Sequence, residues 1–216
     1  MIIPITRETL EELIPVVATS SQYLYYWGDV TSFLRRALIS FVMVVGLFIL
    51  GAVLGDGAHG FILISQVIGG LYWFWSPVYW ASLNNQKYRS YQYAGFFRGE
   101  ILDVFITDEI VEAIDRINDR GQLVMVENRK RYINVEVGDE TGFSAIVQTP
   151  LKRIHKGLNP GESAELVVLS NDADLYRIKQ ISDAFFPRTK LWVGSYPCLR
   201  RDAFEVVSDR LSNQRY

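Results

Sequence analysis

ALISFVMVVGLFILGAVLG, from Ala37 to Gly55, is nineteen residues without a charge. At about 1.5 Å per residue a helix of that length reaches roughly 28 Å, close to the hydrocarbon thickness of a bilayer. After Asp56-Gly57-Ala58-His59-Gly60 comes a second uncharged stretch of twenty-three, FILISQVIGGLYWFWSPVYWASL, Phe61 to Leu83. Two such runs joined by so short a loop predict a transmembrane hairpin with spans at 37–55 and 61–83, in preference to a buried helix pair in a soluble core. Arg35 and Arg36 abut the first run, and Lys87, Arg89 and Arg98 follow the second, while the loop between carries no lysine or arginine. The positive-inside rule then puts both termini on the cytoplasmic or stromal face of an integral, multi-pass protein.

Small residues suggest how the two helices meet. Gly51 and Gly55 form a small-xxx-small step expected to face Ser65 and Gly69, with Gly46 level with Gly69 and Gly70. Gln66 is the strongly polar side chain well inside the second run. It reads as a hydrogen bond within the hairpin, or as part of a transport path. Tyr72, Trp73, Phe74, Trp75, Tyr79 and Trp80 crowd the cytoplasmic half of that run, and Pro77 is expected to kink it. Two readings of the aromatics stand side by side. One is an interfacial belt. The other is a face for a partner helix or a flat lipophilic ligand, so that Tyr72, Trp73, Trp75 and Trp80 would contact chlorophyll, carotenoid or quinone, with no cofactor required.

The bulk composition hides this segregation. The first 32 residues hold Arg7 against Glu8, Glu11, Glu12 and Asp29, whereas beyond Asn84 nineteen basic residues balance nineteen acidic ones. A neutral soluble region lacks the basic surplus that nucleic acid requires. The single cysteine, Cys198, excludes an intrachain disulfide and a thiolate zinc cage. The start, Met1 to Thr6, is not expected to be a signal peptide, because no basic region precedes an apolar core.

Three regions follow: an amino-terminal amphipathic segment (1–32), the hairpin (33–83) and a cytoplasmic, β-rich domain (84–216). In the first, Leu10, Leu13, Ile14 and Val17 share a helical face opposite Glu8, Glu11 and Glu12, with Thr6 as cap and Pro15 as limit. Its acidic face disfavours anionic lipid, so docking on the protein's own β domain or on a partner is expected. In the third, Leu102, Val104 and Ile106 alternate with polar neighbours as in a strand. Asp108 caps an expected helix through Ile110, Val111, Ile114 and Ile117. Leu123–Glu127 and Tyr132–Val137 read as a hairpin across Asn128-Arg129-Lys130. Gly138–Gly142 turns into Phe143–Gln148, and Asn159-Pro160-Gly161-Glu162 is a β-turn leading into Ala164–Leu169. Asp202 and Glu205 suggest a capping box for a last helix presenting Phe204, Val207 and Leu211. The fold class is therefore α+β: a membrane hairpin plus a mostly antiparallel β domain, a small OB- or SH3-like barrel or half-barrel.

No P-loop, dinucleotide fingerprint, HExxH or nucleophile elbow is present. His59 in the outer loop reads as solvated, or as a metal or pigment ligand. His155 lies in a basic stretch, Leu151 to Lys156, that is either a solvated loop or an anion and head-group site joined by Arg129, Lys130 and Arg131. The run Trp192-Val193-Gly194-Ser195-Tyr196-Pro197-Cys198-Leu199-Arg200-Arg201-Asp202 is either a docking surface, with Trp192, Tyr196, Arg200 and Arg201 as its contacts, or a turn clamping the last helix. The expectation is no catalytic residue, no metal site and no enzyme.

Three stretches taken together carry a resemblance. They are Tyr25-Tyr26-Trp27-Gly28 with Phe33-Leu34-Arg35-Arg36, then Val137-Gly138-Asp139-Glu140-Thr141-Gly142-Phe143, then Leu191 to Pro197 with Leu199-Arg200-Arg201-Asp202. They resemble a family of small two-helix membrane proteins from cyanobacteria and plastids, some labelled phosphate ABC transporter permease. Two short spans cannot build a permease bundle. The resemblance implies a thylakoid or plasma membrane address in an oxygenic phototroph. The expected role is a non-enzymatic accessory protein, an assembly, stabilising or auxiliary subunit of a photosynthetic complex such as a photosystem, in contact with membrane lipid. An oligomeric transport or channel component is the alternative.

Overall fold

The computed structural model describes residues 1–54, 57, 59–117 and 123–213. The chain divides into two compact units, Ile14–Ser90 and a discontinuous one made of Met1–Leu13 with Tyr91–Tyr216.

In the helical unit, α2 (Ser20–Trp27) precedes α3 (Val30–Leu54), α4 (His59–Gly70) and α5 (Tyr72–Arg89). Helix α3 is long and apolar enough to cross a membrane, and almost none of it is covered by the rest of the chain. The second apolar run is not the single span that the sequence suggests. Helices α4 and α5 meet at an angle of 71°. The break lies at Leu71, directly after Gly69-Gly70, and not at Pro77, which sits inside α5 without ending it. Adjacent glycines carry the highest entropic cost of helix formation, so the bend falls on them.

Helix α4 runs back along α3 in a register that also differs from the expected small-on-small pairing. A Cβ at Gly51 would meet the Ile62 side chain at 3.3 Å, and one at Gly69 would meet the Met43 Cε at 3.1 Å. Each of these glycines accommodates a large side chain from the facing helix. Gly46 meets nothing within 4 Å, and Gly55 lies outside the described residues.

Helix α2 is held on α5 by a buried amide pair. Gln22 Nε2 donates to Asn85 Oδ1 at 3.0 Å, and Asn85 Nδ2 donates to Gln22 Oε1 at 2.9 Å; both side chains are fully buried. Gln22 Oε1 also accepts from the Thr19 backbone N–H, completing a capping box at the start of α2. The Arg36 guanidinium closes the other end, donating to the Tyr26 carbonyl at 2.8 Å and to that of Trp27.

The other unit is an eight-stranded antiparallel half-barrel in the order β4-β3-β2-β5-β7-β8, with β1 on β2 and β6 on β5. Its strands are β1 (Ile2–Ile5), β2 (Tyr93–Ile117), β3 (Leu123–Gly138), β4 (Ser144–Pro150), β5 (Ser163–Ser170), β6 (Ile178–Ile181), β7 (Ala184–Phe186) and β8 (Leu191–Val193). Helices α1 (Arg7–Leu13) and α6 (Arg201–Asn213) complete it. The expected turns at Gly138–Gly142 and Asn159–Glu162 both form. Gly161 takes φ +84°, a left-handed conformation natural to glycine at the third position of such a turn. Strand β5 is buried along Ala164–Ser170 because it is covered on both faces. Leu166 and Val168 join Phe97, Val135 and Phe186 in the main core, while Phe96 of β2 stacks on Phe204 of α6.

Four local expectations fail for physical reasons. Residues Ile110–Ile117 continue β2 instead of forming a helix, and Asn128-Arg129-Lys130 is interior to β3 instead of a turn. The register sets Asp108 opposite Arg131 and Glu109 opposite Lys130, so the polar residues that look like a turn supply charge complements for the facing strand. A bulge between Ile101 and Asp103 turns Leu102 outward, with 51% of it exposed, and buries Ile101 instead. Helix α6 starts at Arg201, so Asp202 lies within its first turn and binds Arg200 rather than capping from outside.

The amide pair is the polar joint of the helical unit. Replacing Asn85 with Leu leaves Gln22 buried and underbonded, and is expected to cost about 1–3 kcal/mol. The Gln22→Leu/Asn85→Leu double variant should recover part of that in detergent unfolding. Equal losses for single and double variants would contradict the pairing.

Candidate functional site

The bend at Leu71 positions the aromatic residues, and it is chemically completed. Ending α4 strands carbonyls, and starting α5 strands N–H groups, that have no partner within their own helix. The Trp75 indole N–H donates to the Ile68 carbonyl at 2.9 Å. The Trp73 backbone N–H donates to Ser40 Oγ of α3 at 3.1 Å, and Ser40 is only 5% exposed. Phe74 and Trp75 N–H groups reach back to the Leu71 carbonyl at 2.9 and 3.2 Å. One serine and one tryptophan thus stabilise a sharp turn between two helices.

The bend divides the aromatic face into two sets. Trp73 packs inward, edge-on to Trp27 at 6.1 Å and to Phe33 at 5.7 Å between ring centroids, while Arg36 lies over the Trp27 ring at 5.3 Å. Tyr72, Trp75, Tyr79 and Trp80 form an outer row of successive edge-to-face contacts 5.2–6.0 Å apart. Tyr79 and Trp80 are about half exposed. The four residues proposed for a lipophilic ligand are therefore not one surface, because Trp73 is occupied by α2 and α3. Ser65 donates to the Phe61 carbonyl in its own helix at 2.9 Å, and Gln66 is half-buried.

The docking residues separate in the same way. Leu10 and Leu13 are buried in the β-containing unit, Ile14 is buried at the start of the helical unit, and Val17 is exposed beyond the end of α1. Thr6 caps α1 as expected, its hydroxyl accepting from the Thr9 N–H at 3.2 Å. The 192–202 motif clamps the last helix: Trp192 packs between Phe185 at 4.9 Å and Phe204 at 5.1 Å, with Arg201 over its face. Tyr196 is buried, Arg200 is half-buried and pairs with Asp202 at 2.9 Å, and Arg201 is exposed.

That clamp contains a polar centre not anticipated from sequence. The Cys198 thiol donates to Asp183 Oδ1 at 3.2 Å, and the Leu199 N–H donates to the same oxygen at 3.2 Å. Asp183 and Cys198 are buried, and a Cβ at Gly194 would lie 2.6 Å from the Asp183 Cβ, so only glycine fits there. Burial raises the Asp183 carboxyl to about 6, against smaller lowering by its hydrogen bonds to Cys198 and Leu199. Burial and the neighbouring carboxylate push the Cys198 thiol well up, which makes it a poor nucleophile. A carboxylate inside the apolar run Ile181 to Phe186 was the available signal for this centre. Ser40 gave a similar one, a lone hydroxyl amid apolar residues. Among the described residues no group of three metal-ligating side chains is gathered.

Together these features define an α+β chain with a lipid-compatible helix, a bent aromatic helix and an antiparallel half-barrel. The chain belongs to a family of unknown function, DUF8619, whose model matches residues 3–214. No curated protein and no solved structure matches it.

Two outcomes follow. Ser40→Ala should destabilise the helical unit by about 1–3 kcal/mol through the orphaned Trp73 N–H, measured by detergent unfolding. Because folded Asp183 binds its proton more tightly than the unfolded chain, its contribution to stability is largest below pH 4. That contribution declines as pH rises through about 6, by on the order of 2–3 kcal/mol. Asp183→Asn should remove this slope from the stability–pH profile, and an unchanged slope would locate it elsewhere.

Proposed function

We propose that this chain is a membrane-anchored accessory protein that assembles with or stabilises a larger membrane complex. In this reading α3 and α4 lie in hydrocarbon, and α5 turns into the interface. The half-barrel serves as an OB- or SH3-like adaptor on the cytoplasmic or stromal side, which the positive-inside rule assigns from the order of Arg35, Arg36, Lys87, Arg89 and Arg98 along the sequence.

The apolar surface of the helical unit carries the proposal. Phe41, Phe48 and Val53 of α3 are 66%, 70% and 77% exposed, and Phe61, Leu63 and Ile64 of α4 are 77%, 63% and 58% exposed. Apolar surface this continuous is not left to water. The 71° bend supports an interfacial α5, because it carries Tyr72, Trp75, Tyr79 and Trp80 away from the axis of α4 toward the depth where indole and phenol rings are favoured. The outer row, with Tyr79 and Trp80 exposed and Tyr72 and Trp75 half-buried beside them, is then the face for a partner helix or a lipophilic pigment. The resemblance of the three motifs to those of a cyanobacterial and plastid family is what suggests a thylakoid setting and a photosynthetic complex as partner.

Alkaline carbonate washing is expected to leave the chain in the membrane pellet. Under mild detergent it should migrate with an assembly several times its own 24.7 kDa, and replacing Trp75, Tyr79 and Trp80 together with Ala should release it. Release by carbonate, or migration as a lone monomer under conditions that keep large complexes intact, would remove the proposal.

A further inference from the structure

The basic stretch 151–156 is shaped by a buried histidine. His155 is 3% exposed, and its Nδ1 accepts the Lys152 backbone N–H at 3.2 Å. The His155 and Leu158 N–H groups close the same turn on the Lys152 and His155 carbonyls, at 3.1 and 3.2 Å. Burial, followed by the nearby Lys152 charge, lowers the affinity of His155 for a proton and keeps that nitrogen available as an acceptor. With His155 turned inward, the residues around it face out: Lys152, Arg153 and Lys156 are exposed, and Ile154 among them is 58% exposed.

A second loop joins this turn. Arg188 donates to the Gly157 carbonyl at 3.2 Å and pairs with Glu162. Thr189 Cγ2 lies within 3.9 Å of the position a Gly157 Cβ would take. Lys190 follows with φ +52°, a left-handed conformation in which glycine or asparagine would be less strained. The nearby acid, Glu162, is bound by both Arg188 and Asn159. The result is a cationic surface with an aliphatic side chain standing in its midst.

We propose that this surface, Lys152, Arg153, Ile154, Lys156, Arg188 and Lys190, docks on an anionic lipid membrane, with the cations at the phosphate level and Ile154 inserted among the head groups. Charge selects an anionic partner, and exposed Ile154 favours a lipid surface over a nucleic acid or acidic peptide, which would leave it in water. The inference rests on the membrane anchoring proposed above. Only a few residues separate α5 from β2, so the surface is held at high effective concentration of lipid.

The test places a polarity-sensitive fluorophore on Ile154→Cys in the full chain; the native thiol, Cys198, is buried and does not compete. The labelled chain is reconstituted in nanodiscs of phosphatidylcholine with or without phosphatidylglycerol. Emission should shift to the blue only in the anionic discs. The shift should be lost at about 1 M salt, where the screening length is about 3 Å, and lost in the Lys152→Glu/Arg153→Glu/Lys156→Glu variant. Equal emission in both discs overturns the proposal, as does a shift that appears with polyglutamate but not with anionic discs. A parallel label at Phe48→Cys separates the two readings: it should report hydrocarbon in both discs, and failure there indicts the anchoring itself.

Discussion

A backbone amide that leaves its helix in apolar surroundings must find another partner, and the helical unit is organised around meeting that requirement at one point. Once Gly69-Gly70 let the chain turn, the Ile68 carbonyl and the Trp73 N–H lose their helical partners. The Trp75 indole and the Ser40 hydroxyl replace them. Without those two bonds the bend would leave the Ile68 carbonyl and the Trp73 N–H without these protein partners, and a straight helix would be favoured. The bend in turn brings Trp73 against Trp27 and Phe33 and leaves Tyr79 and Trp80 of the outer row exposed. The placement of the aromatic residues thus follows from two side-chain hydrogen bonds.

The half-barrel has a different economy. Strand β2 is the common element, pairing with β1 and then β3 along one edge and with β5 along the other. A strand of 25 residues cannot keep one face buried throughout. The bulge at Leu102 marks the change from the covered half, with Phe96, Phe97 and Ile101, to the half beyond, where Ile106 and Ile110 are exposed. Arg98 ties the covered half to the last helix, pairing with Glu165 at 2.6 Å while Ser208 donates to the same carboxylate.

Much of this was legible in the sequence, unevenly. The apolar runs, the turns at Gly138–Gly142 and Asn159–Glu162, the Thr6 cap and the burial of Phe204 and Val207 follow from local pattern, because each depends on residues close in the chain. The bend at Leu71 was not legible, since its cause includes Ser40, more than thirty positions earlier. Ile110, Val111, Ile114 and Ile117 fit a helical period and a β-branched strand equally well, and only pairing with β3 decides between them. Strand β1 was missed because Pro4 weakens its signal, although proline is tolerated where no donor is needed. The Asp183 centre depends on the β7–β8 pairing, which sets Gly194 beside it and returns Cys198 and Leu199 to its carboxylate.

The discontinuity of the half-barrel unit governs how it is made. Its first strand and helix, through Leu13, emerge before the whole helical unit, and their partners in β2 and α6 only after it. The amino-terminal strand and helix therefore wait unpaired until the helical unit has been made. The helical unit is in effect a cassette inserted in one loop. Its boundaries lie near each other within the half-barrel unit, where the Arg7 guanidinium already holds the Tyr91 carbonyl at 2.8 Å. Excising Ile14–Ser90 and rejoining the ends with a short glycine-serine bridge should yield a water-soluble domain with its sheet complete, a form of the protein freed from detergent.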